Sequence, residues 1–373
     1  MSTDGVAARR LAVEAVERIE KDGAYANLLL PKLLAESDLD ERDRGFVTEL
    51  VYGSTRMKRA VDYLADRFVD RSDVDSRVRA ALRVGAYQLQ YMRVPSHAAV
   101  DATVAATPKR GRGFVNAVLR KVASADEPEW PTTAIELSYP DWLVARLQDD
   151  LGDRALPVLQ AMNKPATTHV RSDGYRQDLA SQAVVAEVDG GVVIDLCAAP
   201  GGKATGVAAQ PGTVVIAADL HEHRAGLVAA AANETNTPVF PVIADSTAPP
   251  HRPGIADAVL VDAPCSGLGS LRRRPDARWR ITSSDIDTLA DLQFSLLHAG
   301  AELVRPGGQL VYSVCTLTAA ESVAVDRRVE AELGDFTPVN LDDPWEPWGR
   351  GGRLLPDRFD GDGMAMVAYR RAS

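Results

Sequence analysis

From Gly191 onward short apolar runs alternate with stretches of helical spacing. "GVVIDL" leads to a glycine turn and a helix from Gly202, and "TVVIAAD" to a helix from His223 to Asn233. "VFPVIAD" and "DAVLVDA" follow, then a helix over 284–304. "GQLVYSV" leads to a helix from Ala319 to Glu332, and "GMAMVAYR" closes the sequence. Strands buried on both faces read as continuous apolar runs, and parallel neighbours need a crossover, usually a helix. The alternation predicts an α/β fold with a doubly wound, Rossmann-like parallel sheet. Ligands of such a sheet bind outside the carboxyl ends of its strands, where the strand order reverses.

The first 123 residues follow another pattern. "LAVEAVERI", "FVTELVYGSTRMKRAVDYLADRF" and "VRAALRVGAYQLQYM" carry apolar residues at helical spacing, which predicts an all-α domain. Residues 124–140, "SADEPEWPTTAIELSYP", contain three prolines and read as a linker. A helix pair over 141–162 leads into the sheet, so that 141–373 forms one catalytic domain. No apolar run reaches the roughly 18–20 residues of a membrane span. The opening "MSTDGVAARRLAVEAVERIE" lacks the apolar core of a secretory signal, and the expected location is the cytoplasm. Cys197, Cys265 and Cys315 are too few and too far apart for a disulfide framework. His221 and His223 read as loop histidines, and no metal is expected.

The formal net charge is -10, yet two stretches are strongly basic. One contains Lys109, Arg110, Arg112, Arg120 and Lys121 without an acid; the other, "LRRRPDARWR", contains Arg272, Arg273, Arg274, Arg278 and Trp279. Basic clusters on an acidic body fit a polyanion met at defined patches, and these residues are its candidate contacts.

The first strand of the sheet runs into "DLCAAPGGKATG". Gly201 and Gly202 let the backbone approach a ligand. The stretch is neither G-x-G-x-x-G nor a phosphate-binding P-loop. Asp219, Asp245 and Asp262 end three consecutive strands. Asp219 follows Asp195 at close to the roughly 20-residue offset at which an acid accepts ribose hydroxyls. Asp245 is expected to meet an adenine edge. Carboxylates disfavour a phosphate-bearing ligand and suit a cation. S-adenosylmethionine carries ribose, adenine, ammonium and sulfonium but no phosphate, and it fits.

"DLCAAPGGK", "DAPCSGLGSLRRRPDARW" and "YSVCTLTAAES" together resemble the RsmB-type, or Sun-family, RNA 5-methylcytosine methyltransferases. "ELVYGSTR", "LRVGAYQLQYM", "VPSHAAVDATV" and "GFVNAVLRKV" resemble the NusB-like RNA-binding domain of the bacterial members. The resemblance covers nearly the whole chain. It implies an S-adenosylmethionine-dependent methyltransferase sheet preceded by an all-α NusB-like domain. Cofactor contacts would come from Cys197, Ala198, Ala199, Pro200, Gly201, Gly202, Lys203, Asp219, Asp245 and Asp262. The implied substrate is RNA, 16S ribosomal RNA first, and the chain is expected to be a monomer.

Carbon 5 of cytosine is too weak a nucleophile to take a methyl group unaided. A thiolate adding at carbon 6 converts the ring into an enamine, and that chemistry needs an activated cysteine. Cys265 and Cys315 both follow strands and qualify. By the resemblance, Cys315 is the nucleophile and Cys265 assists breakdown of the adduct. Asp262 would meet the cytosine, and Lys203 would supply positive potential. Relatives carry a further small RNA-contacting segment before the cofactor strand, where this chain passes from "THVRSD" almost directly to "YRQDLASQ". Methylation of tRNA by the same chemistry, and a non-catalytic NusB-like RNA-binding or assembly factor, are the alternatives. DNA cytosine methylation fits less well, because a Pro-Cys nucleophile like Cys265 would leave Cys315 without a task.

Overall fold

The computed structural model describes residues 3–70 and 73–373. Contacts divide the chain into two units: Met1–Val144 with Arg273–Arg280, and Ala145–Arg272 with Ile281–Ser373.

The first unit is helical. It contains α1 (Thr3–Lys21), α2 (Ala26–Ala35), α3 (Glu41–Arg56), α4 (Lys58–Asp66), α5 (Ser76–Tyr91), α6 (Ser96–Ala106), α7 (Arg112–Ser124) and α8 (Thr133–Glu136). Buried Ala8, Ala12 and Ala15 on α1 keep that helix slim, and α3, α5 and α6 pack around it. Gly53 of "VYGSTR" is required by packing, since a Cβ there would lie 2.0 Å from the Tyr87 ring. The 124–140 stretch folds onto this unit. Thr132 caps α8 by accepting the Ile135 N–H, and Tyr139 is fully buried.

The division falls within α9 (Asp141–Leu151). The second unit continues with α10 (Ala155–Met162) and α11 (Leu179–Ala186). Its sheet contains β1 (Val192–Asp195), β2 (Val214–Asp219), β3 (Val239–Ile243), β4 (Ala256–Asp262), β5 (Val304–Val314), β6 (Phe336–Val339), β7 (Glu346–Trp348), β8 (Gly351–Leu354) and β9 (Met364–Arg371). The order is β3-β2-β1-β4-β5-β9-β8-β7, with β6 also on β9. β1 to β5 are parallel, as expected. β9 pairs antiparallel with β5, and β6, β7 and β8 extend an antiparallel annex beyond the expected parallel sheet. Helices α12 (Gly202–Ala208), α13 (Glu222–Thr235), α14 (Ser283–Leu303) and α15 (Val323–Glu332) complete the unit. The chain builds outward from β1 to β3, then returns to β4 beside β1. The order therefore reverses between β1 and β4, and the ligand crevice belongs at their carboxyl ends.

Candidate active site

Two thiols meet at that end of the sheet. Cys265 follows β4, Cys315 follows β5, and their Sγ atoms are 3.3 Å apart. Both are half-buried and neither is in a disulfide. The loops that hold them cross closely: Gly269 N–H donates to the Cys315 carbonyl at 2.9 Å, and Gly363 N–H donates to the Gly269 carbonyl at 2.9 Å. A Cβ on Gly269 would lie 2.0 Å from the Gly363 carbonyl oxygen, so only glycine permits this approach. The Cys265 thiol is pushed well above its ordinary range, first by its hydrogen bond with Cys315 and then by burial.

An ion pair lies alongside. Lys203 on the first turn of α12 donates to Asp262 at 2.7 Å, and Ser313 Oγ donates to the other Asp262 oxygen at 2.8 Å. Burial pulls the Lys203 ammonium down, but Asp262 outweighs it, with help from Cys315 and Asp195, and Lys203 ends above its usual value. Lys203 therefore stays charged and favours an anion at Cys315.

The cofactor loop is built on Gly201, whose φ of 107° lies in the left-handed region and where a Cβ would lie 2.9 Å from that of Ala231. Cys197 is half-buried, and burial first, then the Asp195 charge, push its thiol up. Asp219 is nearly buried and accepts from Arg224 Nε at 3.1 and 3.0 Å and from His221 N–H at 3.2 Å. Asp245 is exposed and accepts the Thr247 N–H and hydroxyl.

Sequence reasoning overlooked Asp195, the acid that ends β1. One oxygen accepts the Cys197 N–H at 3.2 Å; the other is buried without a hydrogen-bond partner. Burial first, and then the nearby Asp262 charge, push its carboxyl up to about 7. Arg171 was also overlooked. It lies in the short hairpin bridged by Val170 and Arg176, and it donates to the Gly202 carbonyl at 2.7 Å. An acidic lining at Asp195, Asp219 and Asp262, with an orphaned carboxylate oxygen and a glycine cradle, suits a ligand with a sulfonium, an ammonium and a ribose. S-adenosylmethionine meets that description.

A family model described as 16S rRNA methyltransferase RsmB/F matches residues 182–368, and one for the NusB family matches residues 6–124. The ribosomal RNA small subunit methyltransferase B of Thermus thermophilus is 33% identical, with 98% of each chain covered. The Bacillus subtilis protein named probable ribosomal RNA small subunit methyltransferase B is 32% identical over 97% of this chain and 98% of its own. This chain belongs to the RsmB/F family of 16S rRNA methyltransferases. The crystal structure of PH0851 shares the fold across 100% of both chains, with a TM-score of 0.80 at 22% identity. RsmB/F enzymes are RNA methyltransferases that use S-adenosylmethionine. The alignment with the Bacillus protein runs over 445 positions against the 373 residues here, so that relative is the longer chain.

The two basic stretches fare differently. Lys109, Arg110, Arg120 and Lys121 are exposed. Arg112 is half-buried and donates to the Thr107 and Ala105 carbonyls at 3.0 and 2.9 Å, which caps the end of α6. In the second stretch two expectations are corrected. Arg272 is 8% exposed and bonds Asp360 and the Pro165 carbonyl, while Arg278 is 0% exposed and bonds the Arg56 and Ser138 carbonyls. The Arg278 guanidinium stacks 4.0 Å from the Tyr139 ring centroid, and burial pulls it down to about 10. Planar, weakly hydrated guanidinium tolerates such burial where carbonyls and a ring meet it. The Trp279 indole N–H donates inward to the Thr55 carbonyl at 2.8 Å. Arg274 remains exposed and Arg273 half-exposed.

Proposed function

We propose that this RsmB/F enzyme transfers a methyl group to carbon 5 of a cytosine in 16S rRNA through a covalent bond between Cys315 and the base. The observation that carries the reading is the contact of the Cys265 and Cys315 sulfurs at 3.3 Å beside the Lys203–Asp262 pair. S-adenosylmethionine supplies a methyl group already activated on a sulfonium. The residues supply the rest. Lys203 stabilises the Cys315 thiolate, whose sulfur bonds to carbon 6 of the ring. Asp262 meets the exocyclic amine or ring nitrogen and stabilises the charge that addition creates. Once carbon 5 is methylated, its proton passes to a solvent base, the ring double bond returns and the Cys315–carbon 6 bond breaks. The Cys265 S–H donates to the departing thiolate and so assists release. The cytosine must leave its stack to reach the thiols. Lys109, Arg110, Arg120, Lys121, Arg273 and Arg274 are the proposed contacts to flanking RNA. No helix among the described residues is long and apolar enough to cross a membrane, and the proposed location is the cytoplasm.

The reading is tested on the two thiols. Cys315→Ala should abolish methyl transfer. Cys265→Ala should accumulate an enzyme–RNA complex that survives denaturing electrophoresis and reducing agent, because the bond is a thioether. The double substitution should give none. A stable complex in Cys315→Ala and none in Cys265→Ala would exchange the two roles. Bisulfite sequencing of ribosomal RNA from a deletion strain identifies the cytosine, and loss of a mark in tRNA instead would move the substrate.

A further inference from the structure

We propose that Glu321 is a positioning residue whose buried carboxylate clasps the Cys265 loop to the Cys315 loop and so sets the contact between the two thiols. The inference rests on the two-cysteine chemistry proposed above. Glu321 is 0% exposed, and five donors converge on it. Oε1 accepts the Ser266 N–H at 2.7 Å and Gln293 Nε2 at 3.2 Å; Oε2 accepts the hydroxyls of Ser266 at 2.6 Å, Thr316 at 3.0 Å and Thr318 at 2.8 Å. Ser266 and Thr316 each directly follow a catalytic cysteine. Gln293 also donates to the Pro264 carbonyl at 2.9 Å, so Cys265 is fixed on both sides. Tyr312 on β5 closes the network by donating to the Glu321 carbonyl at 2.5 Å.

Burying a carboxylate among neutral donors is costly, and an apolar residue of similar size would serve packing as well. A donor set drawn from the two cysteine loops gives the carboxylate a task that packing does not need. Its charge has a second effect. Cys265 faces Cys315 across the contact, Glu321 from the loop before α15 and the Tyr312 hydroxyl on β5, all of which oppose a thiolate there. Cys315 faces Lys203, with Asp262 and Asp195 behind it. The negative group on one side and the ammonium on the other keep the proton on Cys265 and the anion on Cys315.

Two thiol readouts, neither of which involves RNA, test this in a Cys197→Ser background. The first is the pH profile of Cys265 alkylation by iodoacetamide with Cys315→Ser in place. Glu321→Gln is expected to move its midpoint down by about one unit, hence about tenfold faster alkylation below the midpoint. The second is oxidation of the thiol pair by diamide. The two thiols lose two protons and two electrons to form a disulfide, and the N=N bond of diamide becomes a hydrazine. With this rate divided by the Cys265 alkylation rate at the same pH, which removes the gain in thiolate, Glu321→Gln is expected to slow oxidation about tenfold, the size of a contact worth one such unit. An unchanged midpoint and an unchanged rate would overturn the clasp. If Glu321→Gln does not fold, Thr316→Val and Thr316→Ser decide: slow oxidation in the first and a restored rate in the second support it, and equal rates overturn it. Methyl transfer that persists in Cys315→Ala would defeat the functional reading whatever these thiols do. Trapping as expected with immobile thiol readouts would defeat the clasp alone.

Discussion

Asp195 holds a proton at the end of β1 that an ordinary aspartate would release. Its folded value, about 7, lies above the unfolded one. Between those values the native state binds more protons than the unfolded chain, so the associated stability is full at low pH and is lost as pH rises through about 7. Asp195→Asn is therefore expected to raise the melting temperature relative to wild type at pH 8 and to leave it unchanged at pH 4. A difference of equal size at both values would remove Asp195 as the cause. Asp219→Ala is expected to weaken S-adenosylmethionine binding by roughly 1–3 kcal/mol if Asp219 holds the ribose, the loss of a charge-assisted hydrogen bond. Calorimetry with an unchanged Kd would take Asp219 out of the pocket. The cysteines, the glycine pair and Lys203 were legible in the sequence because their chemistry is local to a short motif. Glu321 was not. After "TLTAA" a glutamate reads as the solvent-facing first turn of a helix, but α15 starts only at Val323, and the preceding turn folds the carboxylate inward.

At the scale of elements, β1 to β5 and β9 were legible because strands buried on both faces leave continuous apolar runs. β6, β7 and β8 left no such signal. They are three or four residues long, partly exposed, and interrupted by Pro338, Pro347, Gly351 and Gly352. Their place is set by pairing, of β6 and β8 with β9 and of β7 with β8, which periodicity does not report. The crossing of the 269 and 363 backbones was equally silent, since it is a contact between distant loops. Gly269→Ala tests it. The added methyl meets backbone, not a movable side chain, and is expected to cost about 1–3 kcal/mol of stability and to separate the thiols. Wild-type melting and a wild-type rate of diamide oxidation in that variant would show that the loops can part without consequence.

For the whole molecule, sequence separated a helical part from an α/β part but could not divide one basic stretch into structural and surface arginines. Burial is a property of the fold, and "LRRRPDARWR" looks uniformly polar until Arg278 is seen against Tyr139. The distinction is measurable. Charge reversal at Lys109, Arg110, Arg120 and Lys121 should weaken RNA binding and flatten its dependence on salt, as fewer counterions are released. Arg278→Ala should instead lower the melting temperature and leave the salt slope of the folded fraction unchanged. A flattened slope in Arg278→Ala would return that residue to the RNA surface.

The antiparallel pairing of β9 with β5 also sets an order of events during synthesis. Residues are added from the N-terminus, so β5 and its cysteine leave the ribosome well before Met364–Arg371, the strand that covers its open edge. Until then the backbone groups of β5 face no partner on that side, and Gly363 has not arrived to fix the Gly269 turn against Cys315. The thiol pair is thus assembled only once Gly363 and β9 have emerged. A nascent chain carries Cys315 without its partner in place, and ribosome-bound chains stalled before Gly363 should show Cys315 open to alkylation and no thiol–thiol oxidation.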